Sequence, residues 1–184
     1  MRSSQPHWRA TVVAGCITLA AFLGEIKDLR AASAARVPDP TVFREFATQL
    51  EAPPTTAIFA HNLIAWTILW SGGALAGILA VPQLIRIGHE VALGIAASKA
   101  VGASDLQSMS SLAPHGIFEL AAFMLAAGSG FGTLVGVWRF AERKEGAQET
   151  LRKSAGLTAW SIGLLLLAAL IECHLTPQIL RLLA

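Results

Sequence analysis

The chain has 184 residues, 54% of them hydrophobic and only 14% charged, with a formal net charge of +2. That length holds one domain, and so small a positive excess, with no basic run interleaved with aromatics, excludes a nucleic-acid binder. Charged residues are well below the quarter found in ordinary soluble domains, and the apolar residues gather in several nearly uncharged runs, so the composition points to an integral membrane protein. Cys16 and Cys173 both fall inside those runs, where a free cysteine behaves as a small hydrophobe, and they define neither a disulfide framework nor a zinc knuckle.

The expected fold is all-α, a polytopic bundle of about five transmembrane spans with one short amphipathic interfacial helix, forming a single domain over 1–184. The first span, 10–26, follows Arg2 and Arg9 and reads as an uncleaved signal anchor. Segment 27–55 is polar and is assigned to the extracytoplasmic side. Within it Val42, Phe43, Phe46 and Leu50 recur at helical spacing before Pro53-Pro54 stop the pattern, which predicts a helix lying on the membrane surface or plugging the bundle.

The second span, 57–81, carries His61 and Asn62 near its start, and Gly73 and Gly77 further on as a GxxxG pair for close helix packing. The third, 85–101, is interrupted by Arg86, His89, Glu90 and Lys99; Arg86 and Glu90 are four apart and are expected to pair. Pro114 marks the start of the fourth span, 116–140, because proline suits a first helical turn. Gly128, Gly132 and Gly136 form a smooth stripe along that helix, half a revolution from Glu119, so it should touch protein on two sides.

The fifth span, 157–173, ends at Glu172-Cys173-His174. Arg139, Arg143, Lys144, Arg152 and Lys153 between the last two spans identify the cytoplasmic side. This puts the N-terminus in the cytoplasm and the C-terminus outside the cytoplasmic membrane. His61, Asn62, His115, Glu119, Glu172 and His174 then share one level near the outer face.

His115 and Glu119 lie four residues apart on one helix face. An ionisable group facing hydrocarbon costs about 2.5 to 3.5 kcal/mol on insertion scales, so such groups turn inward, pair, or line a wet cavity. Three readings follow. In the first the cluster fixes helix register or binds a partner segment, which the glycine stripes favour together with a homo-oligomer. In the second, His115, Glu119 and Glu172 hold a divalent metal such as zinc, or act as general acid and base, in an intramembrane hydrolase or peptide-processing enzyme; the HxxxE pair is a weak pattern and no HExxH is present. The third is a proton- or ion-coupled transporter, although nothing comparable continues through the middle of the fourth and fifth spans.

Two stretches, PHGIFELAAFMLAAGSG from Pro114 and AALIECHLTP ending at Pro177, give the chain a likeness. It resembles the stage II sporulation protein M family, matching a histidine-glycine-x-x-glutamate segment and a terminal isoleucine-glutamate, threonine-proline segment, with His61-Asn62 at a polar start to the second span. Where the family often has asparagine-glycine before its third helix, Gly88-His89-Glu90 stands here. The resemblance implies an all-helical protein of roughly five spans. It further implies a membrane scaffold working with a cell-wall hydrolase, or a component accompanying a transport ATPase or the export of a peptide substrate.

Overall fold

Residues 12–14, 16, 17, 20, 40–49 and 52–183 are described by a computed structural model, and among them the regular structure is all helix. Six helices follow one another: α1 (Pro40–Gln49), α2 (Thr55–Ala74), α3 (Ala80–Ala100), α4 (Asp105–Ala141), α5 (Ala147–His174) and α6 (Thr176–Leu183). Val12, Val13, Ala14, Cys16, Ile17 and Ala20 are also helical. The remainder of the expected first span, and most of 27–55 outside α1, lie outside the described residues.

The central helix is α4, which packs on α2, α3, α5 and α6. Its 37 residues make a rod about 55 Å long, nearly twice the roughly 30 Å of a bilayer core. The expected start at Pro114 is corrected: the helix begins after Ser104 and runs straight through the proline. The reason is a capping box. Ser104 Oγ accepts from Gln107 N at 3.3 Å while Gln107 Oε1 accepts from Ser104 N at 2.8 Å, which satisfies two donors a helix start otherwise leaves open. Buried Ser108, bonded to Ser98 of α3 at 2.8 Å, then anchors the extra turns. Ser104→Ala should therefore destabilise the first turn of α4 by about 1 kcal/mol, read as faster amide exchange at residues 105–108.

The second span, expected over 57–81, is corrected too. After Ala74 the chain turns through 75–79, with Ala76 at φ 55° and Gly77 at φ 91°. Gly77 N–H donates to Gly72 O at 2.7 Å, the Schellman pattern that closes a helix, and α3 then doubles back. The turn is so tight that a Cβ on Gly72 would lie 2.2 Å from Ala80 N. Gly77 therefore sits in the turn with nothing within 4 Å of an added Cβ, and Gly73-Gly77 is not a packing pair. Pro82 falls in the first turn of α3, where its missing N–H leaves no bond unmade.

Helix α5 starts ten residues before the expected 157, because the intervening charged stretch is helical without being apolar; Glu149 and Lys153 pair four apart at 2.6 Å. Only Leu175 separates it from the unexpected α6, whose first turn holds Pro177. Ala47 of α1 is fully buried in a small cluster with Ala103 and with Leu180 of α6. The pair expected from spacing in α3 forms, Arg86 Nη1 to Glu90 Oε1 at 2.9 Å.

Two stretches of described helix, Asp105–Ala141 and Ala147–Leu183, are long and apolar enough to cross a membrane. Of the other expected spans, α2 and α3 are less apolar, His61 and Asn62 interrupting the one and charges the other, and the first lies mostly outside the described residues. In the second stretch only 28% of the most apolar window is buried, and Trp160, Leu166, Leu167 and Leu170 are exposed. A soluble core helix would hide that face; this one presents it outward, as a lipid-facing helix does.

Candidate functional site: a polar cluster beside a cavity

The core is apolar at its centre, where Trp66 and Leu69 of α2, Leu84 and Ile87 of α3, Phe123 of α4 and Leu165 of α5 interlock. Polar groups are threaded into it in pairs. Trp66 Nε1 donates to Ser161 Oγ at 2.8 Å, Trp70 Nε1 to Thr158 Oγ1 at 3.2 Å, and Thr158 Oγ1 to Ser129 Oγ at 3.2 Å. The two indoles stack with centroids 6.4 Å apart. This ladder ties α2, α4 and α5 at a fixed register. Sequence reading missed its α5 side, although Thr150, Ser154, Thr158 and Ser161 recur every three or four residues and so mark one face.

Toward the start of α2 the ladder gives way to ionisable groups. Asn62 Nδ2 donates a short hydrogen bond to Glu119 Oε1, joining α2 to α4. Glu172, near the end of α5, lies close enough for its charge to act on Glu119, and His61 close enough to act on Glu172. His61, Asn62, Glu119 and Glu172 therefore share one neighbourhood drawn from three helices. His115, buried one turn before Glu119, turns to α6: its Nδ1 lies 3.2 Å from Thr176 Oγ1. The Thr176 hydroxyl also lies 3.4 Å from Ile171 O, which ties the start of α6 to the end of α5. His174 ends α5 and is exposed.

Beside the cluster lies a partly open cavity of about 390 Å³, lined by residues of α3, α4, the end of α5 and α6 together with Ala52, Pro53 and Val101. His115, Glu172 and Thr176 line it among apolar walls that include Gly94, Ala97, Leu112 and Leu180. Its size falls within the roughly 300 to 1,000 Å³ of small-molecule sites.

Among the described residues no three His, Cys, Asp or Glu side chains are gathered closely enough to hold a metal ion. The expected trio His115, Glu119 and Glu172 is thus not a three-ligand set. The physical reason is that Asn62 of α2 engages Glu119 while Thr176 of α6 engages His115. Ser111 Oγ donates to Ser108 O at 2.7 Å and Ser161 Oγ to Thr158 O at 2.8 Å, so neither of these two hydroxyls is offered to a base.

The expected packing glycines divide. Gly73 does lie at a close crossing, where an added Cβ would be 2.3 Å from Ala127 O of α4. Gly136 faces Leu151 of α5, with a Cβ 2.7 Å from its side chain, while Gly128 and Gly132 are buried. The glycine opposite Gly73 is Gly130, off the stripe that spacing singles out; its Cβ would meet Trp70 O at 2.0 Å. At the far end of α4 and α5, Glu142 pairs with Lys144 at 2.6 Å, and that bond, with a second from Trp138, holds the carboxyl below its usual range.

The fold and the cluster define an all-helical protein of the membrane type, with ionisable groups drawn from several helices into its interior. Over residues 10–177 the chain matches the family model for stage II sporulation protein M, and it belongs to that family. Neither a curated protein sequence nor a solved structure matches it.

Proposed function

We propose that the protein is a multi-pass component of the cytoplasmic membrane that works as a cell-envelope scaffold, or alongside a transport or export system, and binds a partner segment at the His/Glu cluster near the outer face. The observation that carries this reading is the Asn62–Glu119 bond between α2 and α4. It spends the carboxylate expected to do chemistry on locking two helices together, which is what polar groups between membrane helices do. Glu172 and the cavity beside it are left as the recognition surface. The outward apolar face of α5 supports contact with lipid or with further copies of the chain.

Glu119→Gln keeps the shape and removes the charge, as does Glu172→Gln. In lipid nanodiscs, native mass spectrometry should show Glu119→Gln shifting the subunit number or loosening the assembly, while neither wild type nor variant cleaves a peptide library. Peptide cleavage by the wild type that disappears in Glu119→Gln would replace the scaffold with an enzyme; an assembly identical in wild type and variant would remove the role given to the cluster.

A further inference from the structure

The cavity has an unusual balance of hydrogen-bonding groups. The hydroxyl donors on its wall bond inside the chain, Ser98 Oγ to Ile95 O, Ser111 Oγ to Ser108 O and Thr176 Oγ1 to Ile171 O, and Gln107 Nε2 gives one of its two N–H groups to Leu183 O. Glu172 is the one carboxylate on the wall, and it receives no hydrogen bond among the described residues, with exposed His61 the ring within electrostatic reach. A half-buried carboxylate without a donor is costly to leave so, and most of the wall around it is apolar. The complement of such a wall is a group that only donates, carried on an apolar stem. Ammonium has three donors and no acceptor.

We infer that the cavity binds a primary ammonium on an apolar stem, as in a lysine side chain of a partner segment or a free alkylamine, with the nitrogen at the Glu172 carboxylate. This rests on the reading of the cluster as a recognition site and gives it a ligand chemistry. The apolar stem meets the wall formed by Gly94, Ala97 and Leu112, and the charge is met by Glu172.

The test uses the full chain in phosphatidylcholine nanodiscs, whose lipid carries no primary amine. Hexylammonium, hexanol and hexanoate are the probes, measured by isothermal titration. Hexylammonium should bind at least tenfold more tightly than either competitor, and Glu172→Gln should erase that preference. Gly94→Leu is the second variant: a Cβ there meets only Leu112 at 3.7 Å, so the longer side chain grows into the cavity and should weaken hexylammonium binding with Glu172 intact. An apolar peptide with one lysine, set against its norleucine twin, separates the sources. A tenfold lysine preference assigns the ammonium to a partner segment; equal binding of the two peptides, with hexylammonium still preferred over hexanol, assigns it to a free alkylamine. Hexanol binding as tightly as hexylammonium, or a preference that survives Glu172→Gln, overturns the inference. That failure leaves the effect of Glu119→Gln on assembly standing, whereas loss of that effect with the ammonium preference intact overturns only the scaffold reading.

Discussion

Gly130→Ala is expected to be among the most damaging single substitutions in the described part of the chain, costing about 3 kcal/mol, a fall in Tm on the order of 5 to 10 °C in detergent. The added methyl would sit 2.0 Å from Trp70 O and 3.1 Å from Ala74 N, both backbone atoms of α2 that no rotamer change can move aside. Relief requires α2 and α4 to part, and parting them pulls Trp66 and Trp70 from Ser161 and Thr158. Gly116→Ala is the matched control on the same helix. Nothing lies within 4 Å of its Cβ, so it should be neutral or gain up to about 1 kcal/mol of helix propensity. Equal melting temperatures for the two variants would show that the crossing is not close.

The second large effect concerns the short bond between α2 and α4. Asn62→Leu removes the donor and leaves the half-buried Glu119 carboxyl unmatched, which should cost about 1 to 3 kcal/mol. Replacing both partners is the informative step. Asn62→Leu with Glu119→Leu leaves no polar group behind, so the double variant should melt closer to wild type than Asn62→Leu alone. Strictly additive losses would mean that the two side chains stabilise the fold independently.

How much of this was legible beforehand depended on the kind of signal. Apolar runs find helices only where lipid or core makes them apolar, so 116–140 and 157–173 were visible while the earlier turns of α4 and α5 were not; these are helical for capping, ion pairing and packing. The capping box at Ser104 and Gln107 was written in the residues, but Pro114 is the louder signal and masked it. The polar residues themselves were legible, because each is out of place in an apolar run. Which of them meet was not: His115 and Glu119 share a helix face in projection, yet they find partners on α6 and on α2.

From the sequence alone came the helical class, the family and the set of anomalous side chains, since hydropathy, motif and desolvation cost are properties of residues taken one or a few at a time. The tertiary structure decided where α2 stops, that Gly73 works with Gly130 rather than Gly77, and that His115, Glu119 and Glu172 do not converge as three ligands. Those outcomes depend on how close two backbones come and on which acceptor a donor reaches first, and such distances exist only once the helices are packed.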